Sequence, residues 1–137
     1  MRLIMLEKKE NIPTNDDIKV LIVDDVNINL ILGKRLLSKL GVKVDTADSG
    51  VQCLEKMRQD DYHLILLDIQ MEPMTGPETM AEIRKNTHWD QVSIVAVSSS
   101  LTEEIINQCR AFSVTHFLKR PFLKSDLNTI LTSLVSS

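Results

Sequence analysis

Four positions in this sequence place reactive side chains directly after short apolar runs. Asp24 and Asp25 follow Val20-Leu21-Ile22-Val23, Asp68 follows Leu64-Ile65-Leu66-Leu67, Ser98 follows Ile94-Val95-Ala96-Val97, and Arg120 follows Phe117-Leu118-Lys119. Three carboxylates brought together repel by roughly 4 kcal/mol per close pair even at an effective dielectric of about 20, so such a cluster asks for a cation. Hard oxygen ligands select Mg²⁺, or Mn²⁺ in its place, and Mg²⁺ keeps several waters, one of which a phosphate oxygen can replace. A carboxylate is also a nucleophile toward phosphorus and can form an aspartyl phosphate. Asp68 is the best candidate for that role because it ends the most apolar run. The Ser98 hydroxyl and the Arg120 guanidinium are the groups that could then meet the new phosphoryl oxygens.

These residues meet only if the runs that carry them are strands of one sheet. From Ile18 onward, short apolar runs alternate with segments of helical period, the pattern of repeated βα units. Strands are expected over residues 18–23, 42–46, 63–67, 93–97 and 115–118, and helices over 28–40, 51–59, 78–85, 103–112 and 125–135. The runs at 64–67 and 94–97 are continuous rather than alternating, so both faces of those strands should be covered. Thr102 with Glu103 and Glu104 reads as a helix start, and Gly41 as a helix stop. In the last helix Leu127, Ile130, Leu131, Leu134 and Val135 form one stripe. The expected architecture is a single flavodoxin-like (βα)5 domain, a doubly wound parallel five-stranded sheet in the order 2-1-3-4-5. In such sheets ligands bind beyond the carboxyl ends of the strands, which gathers the four reactive positions at one edge.

Composition narrows the function further. A chain of 137 residues suits one domain, with residues 1–17 reading as a tail or linker and 18–137 as the folded unit. A formal charge of -3 argues against a nucleic acid partner. No stretch approaches the roughly 20 apolar residues that span a bilayer, so membrane contact is not expected. Cys53 and Cys109 lack partners at metal-ligand spacing and read as packed or partly exposed thiols in a cytoplasmic protein. His63, His88 and His116 are scattered and read as loop or strand-end residues, while Trp89 reads as a loop residue covering the sheet edge.

The motifs Leu21-Ile22-Val23-Asp24-Asp25, Leu64-Ile65-Leu66-Leu67-Asp68-Ile69-Gln70-Met71 with Met74-Thr75-Gly76, Ile94-Val95-Ala96-Val97-Ser98, and Phe117-Leu118-Lys119-Arg120-Pro121-Phe122 occur in this order. From about residue 18 to 135 the chain resembles a response-regulator receiver domain of two-component signalling. The stretch Asp24-Asp25-Val26-Asn27-Ile28-Asn29-Leu30 resembles the receivers of hybrid sensor histidine kinases. The resemblance implies Asp68 as phosphoacceptor, Asp25 and Asp68 as direct metal ligands, Asp24 as a ligand through water, and Gln70 as a ligand through its carbonyl. It implies Ser98 and Phe117 as a switch pair, with a histidine kinase or a histidine-containing phosphotransfer protein as donor. Transfer from phosphohistidine and slow self-hydrolysis would then be the only chemistry, and a single-domain regulator or a piece of a hybrid kinase the setting.

Three residues depart from the family pattern. The lysine usual before the proline is Arg120, with Lys119 expected on the opposite face of its strand. Glu72 intervenes between Met71 and Pro73, and Thr75 stands where an aspartate is usual. These departures motivate an alternative, a degenerate receiver that acts as an interaction module without phosphorylation. A flavodoxin-like cofactor binder fits less well, for want of aromatics and of a glycine-rich phosphate loop.

One reading needs no family. At 100° per residue, Val26, Leu30, Gly33, Leu37 and Leu40 form one stripe of the first helix, which leaves Ile28, Ile31 and Leu32 facing water. An apolar patch beside the reactive edge suits docking of a helical partner.

Overall fold

The computed structural model describes residues 17–136. Five parallel strands, β1 (Lys19–Val23), β2 (Lys43–Ala47), β3 (Leu64–Asp68), β4 (Ser93–Ser98) and β5 (His116–Lys119), form one sheet in the order β2-β1-β3-β4-β5. Helices α1 (Asn27–Lys39), α2 (Gly50–Gln59), α3 (Gly76–Lys85), α4 (Glu103–Arg110) and α5 (Lys124–Ser136) connect or follow them. The expected order is therefore the observed one, and each expected strand lies within one or two residues of its place.

Side-chain alternation explains how five strands bury two faces. Leu21, Val23, Ile65 and Leu67 point to one face and pack with Cys53 and Met57 of α2, Met80 and Ile83 of α3, and Cys109 of α4. Val20, Ile22, Leu64 and Leu66 point to the other and pack with Leu30 and Leu37 of α1 and Leu127, Ile130 and Leu131 of α5. All five residues of β3 are buried, which is why its sequence reads as an unbroken apolar run rather than an alternating one. Each such aliphatic side chain contributes about 1.5–3 kcal/mol on burial, so the strand that carries Asp68 is also the one most firmly held.

Helix ends follow their sequences. The hydroxyls of Ser49, Thr75 and Thr102 accept from backbone N–H groups of the first turns of α2, α3 and α4. Gly41, just past α1, takes φ 84°, a left-handed value at which a side chain would be strained. The helix α3 begins at Gly76 rather than at 78. Thr75 and Glu78 form a reciprocal capping box there, and Pro77 sits where its missing N–H costs nothing.

Two expectations need correction. Val26 does not join the buried stripe of α1; it is 45% exposed, because as the N-cap residue it lies outside the helical screw that the stripe assumes. Trp89 is not on an open loop but in a short 3-10 turn (Thr87–Trp89), with its indole buried against the α2–α4 face. The proposed tail lies almost wholly outside the described residues, as does the expected contact of Val135.

Candidate functional site

Strand register puts the reactive residues at one level. Val23 pairs with Leu67, so Asp24 and Asp68 leave neighbouring strands side by side at the point where the strand order reverses. On the far side of β3, Asp68 pairs with Val97, and Ser98 pairs with Lys119, which brings Ser98 and Arg120 to the same rim. One carboxylate oxygen each from Asp24, Asp25 and Asp68 lies within 4.8 Å of the others. The convergence expected from the sequence is thus present.

The three acids are not equivalent. Asp24 is buried, and its Oδ1 accepts from the Val26 N–H at 2.9 Å while its Oδ2 accepts from Arg120 Nη2. Asp25 is exposed, and its Oδ2 accepts from the backbone N–H of Glu72 at 3.4 Å, a loose bond that links the end of β1 to the loop after β3. Asp68 is buried, and its Oδ1 accepts from the Gln70 N–H at 3.5 Å. Burial, and then the Asp24 charge, push the Asp68 carboxyl up to about 6, against partial relief from the Arg120 charge and the Gln70 bond. A carboxyl so raised beside two others is an anionic pocket short of positive charge, which fits a divalent cation in a hard oxygen environment.

The remaining predicted residues take distinct places. Ser98 is buried, and its hydroxyl donates to the Ser100 carbonyl at 3.0 Å while accepting from the Ser100 N–H at 3.1 Å. Phe117 is partly buried and packs on the α2–α4 face, in the cluster that contains Ile105 and Phe112. Lys119 is exposed, as expected from strand alternation, whereas Arg120 turns into the site. Gln70 contributes its N–H to Asp68. Ile28, Ile31 and Leu32 are about half exposed on the outer side of α1. A cleft of about 550 Å³ lies next to them, lined by Leu32, Leu36, Arg120, Pro121 and Phe122 among others.

Comparison with known proteins decides the family. Residues 20–132 match the response regulator receiver domain. The chain belongs to that family. Among curated relatives, this receiver is 31% identical over 131 residues to the hybrid signal transduction histidine kinase L of Dictyostelium discoideum, covering 91% of the chain but 8% of that protein. Among solved structures, chemotaxis protein CheY4 of Vibrio cholerae matches with a TM-score of 0.81 at 26% identity, over 85% of this chain and 98% of that one. The receiver domain of sensor histidine kinase PA1611 from Pseudomonas aeruginosa, solved with a magnesium ion in its active site cleft, has the same fold. It matches with a TM-score of 0.79 at 24% identity, over 87% of this chain and 98% of that one.

Sequence reasoning missed two elements of this receiver site. The Glu72 backbone contact to Asp25 was hidden because any residue type can supply an N–H. The pairing of Arg120 with Asp24 rather than Asp68 joins residues 96 apart, and no local signal distinguishes the two acids as its partner. No helix among the described residues is long and apolar enough to cross a membrane.

Proposed function

We propose that this receiver, spanning residues 18–137, accepts a phosphoryl group on Asp68 from a phosphohistidine and so switches a protein-binding surface. The observation that carries the reading is the convergence of Asp24, Asp25 and Asp68 at the carboxyl edge of a receiver fold. Asp25, Asp68 and the Gln70 carbonyl would hold Mg²⁺ or Mn²⁺, with Asp24 reaching it through water. Bound there, the ion screens the negative charge of the incoming phosphoryl group and of the carboxylates around it.

The rest belongs to the chain's own residues. A carboxylate oxygen of Asp68 attacks phosphorus, the P–N bond to the donor imidazole breaks, and the ring nitrogen leaves with the bonding electron pair. The rigid, fully buried β3 holds that oxygen in place. Once the group is attached, the Ser98 hydroxyl gives up its Ser100 carbonyl to donate to a phosphoryl oxygen. The space it leaves lets Phe117 move inward and reshape the α4–β5 surface. Slow hydrolysis of the acyl phosphate resets the site.

A histidine kinase or a histidine-containing phosphotransfer protein is the donor that this chemistry requires, in the cytoplasm where such relays run. Its helical bundle would dock on Ile28, Ile31 and Leu32 of α1, the last of which lines the same cleft as Arg120. That juxtaposition brings a donor histidine to the acidic edge while an apolar helix face is covered.

Incubation with Mg²⁺ and a small phosphodonor, followed by intact-mass measurement, tests the proposal. A gain of one phosphoryl group in the wild type is expected. No gain under any condition would instead favour an interaction module that works without phosphorylation, the reading to which the commitment of Arg120 to Asp24 lends some support.

A further inference from the structure

Arg120 enters the acidic site by way of Asp24 and not of Asp68. Its Nη2 donates to Asp24 Oδ2, while the other oxygen of Asp24 accepts from the Val26 N–H at 2.9 Å. Each oxygen of this carboxylate therefore already holds a protein donor. The Asp24 side chain is 0% exposed against 23% for Arg120, so the pair sits at the inner wall with the guanidinium on its solvent side. The guanidinium carbon also lies 5.6 Å from the centroid of the Phe122 ring, a cation–π contact that holds the fork toward Asp24. A carboxylate held in this way is neutralised before any metal arrives.

We propose that Arg120 is the resident counter-ion of Asp24, which a divalent cation must displace, so that cation loading frees the forked guanidinium for the phosphoryl oxygens. The inference rests on the reading that the cluster takes a divalent cation. A doubly charged ion and a guanidinium repel across a few ångströms, and an Asp24 oxygen committed to Arg120 is a poorer acceptor for the water through which Asp24 reaches the ion. Arg120 thus has two successive partners, first Asp24 and then the phosphoryl group. A planar fork can exchange one pair of acceptor oxygens for another, which suits it to this relay better than a point-like ammonium.

Competition and simple bracing predict opposite signs. If Arg120 only ties the end of β5 to the end of β1, its loss loosens the rim and weakens both folding and metal uptake. If it competes with the cation, its loss leaves Asp24 buried and unpaired, so the metal-free protein becomes less stable while its appetite for a cation grows.

Calorimetric titration of the full 137-residue chain with MgCl₂ separates the two, for wild type, Arg120→Gln, Asp24→Asn and the double variant, alongside thermal melting in EDTA. Arg120→Gln is expected to melt lower without metal yet bind Mg²⁺ about three- to tenfold tighter, with that gain abolished when Asp24 is Asn. Equal or weaker binding by Arg120→Gln overturns the proposal, and so does a gain that persists undiminished in the Asp24→Asn background. Arg120→Lys, which keeps the charge without the fork, guards against a glutamine variant that does not fold. Because its ammonium still pairs with Asp24 but lacks the hold of the fork, it is expected to bind Mg²⁺ at least as tightly as wild type and less tightly than Arg120→Gln, and weaker binding than wild type overturns the proposal. Absence of Mg²⁺ uptake by the wild type overturns the cation-site reading itself, an outcome distinct from all of these.

Discussion

A Cβ on Gly76 would lie 2.5 Å from the main-chain oxygen of Asp68 and 2.6 Å from the Cα of Ile69. The first residue of α3 is thus pressed against the end of the strand that carries the proposed phosphoacceptor, and its N–H donates to the Ile69 carbonyl at 2.9 Å. Backbone cannot yield as a flexible side chain can. Gly76→Ala is expected to cost about 1–3 kcal/mol of stability through overpacking, read as a lower urea midpoint. It should also slow phosphoryl uptake, because the end of β3 has to shift. An unchanged midpoint would mean that the rim is softer than it looks.

The Asp68 carboxyl sets a pH dependence of the metal-free protein. Burial and the Asp24 charge raise it to about 6 from the ordinary 3.8, so between those values the folded chain binds protons more tightly than the unfolded one. For this group, stability is greatest in acid, falls as pH rises from about 3.8 to about 6, and is level above that. Asp68→Asn removes the fall. In EDTA at neutral pH this variant should therefore melt above wild type, and the gap should close on acidification. A variant that melts below wild type at neutral pH contradicts the charge-deficit description of the site.

Arg84 has a structural task that its position on a helix does not advertise. Its Nε donates to the Phe112 carbonyl at 2.9 Å, Nη2 to Val92 at 2.9 Å, and Nη1 to Trp89 at 3.0 Å, fastening the turn before β4 and the end of α4 to α3. Arg84→Ala takes this donor from the Phe112 and Val92 carbonyls, while the Trp89 carbonyl keeps the Val92 N–H. A loss of roughly 2–4 kcal/mol is expected by urea denaturation, and Lys, which lacks the fork, should recover only part of it.

The exposed face of α1 offers a test of partner docking. Ile28→Glu with Ile31→Glu should slow phosphotransfer from a histidine-containing donor protein about tenfold or more, since two half-exposed aliphatic anchors are replaced by charge. Phosphorylation by a small phosphodonor should be unaffected. Equal rates from the protein donor would remove this patch from the interface.

Sequence reasoning recovered the strands and the acidic edge because both rest on local signals, and the sheet order because five βα units point to the flavodoxin-like arrangement. A strand buried on two faces, such as β3, must be written as an uninterrupted apolar run, and the residue after it marks the rim. Where reasoning failed, the cause was either a boundary or a distant partner. Val26 fits the apolar period of α1 but precedes its first turn, and α3 was expected only from residue 78 although Thr75 and Glu78 spell a capping box that starts it at Gly76. Arg84 looks like any surface cation in sequence, and Arg120, though marked by its place after β5, carries no local sign of its partner. Their roles come from carbonyls and a carboxylate that only the folded chain brings near, and the same holds for Trp89, which is buried because the fold places it in one cluster with residues of α2 and α3.

Mapping the modified residue tests the central claim most directly. The protein is phosphorylated by a small donor in Mg²⁺, reduced with borohydride so that an aspartyl phosphate becomes homoserine, and sequenced by mass spectrometry. Homoserine is expected at position 68 alone, and only when Mg²⁺ was present. Homoserine at another acid, or none at position 68 after complete reduction, would contradict the account.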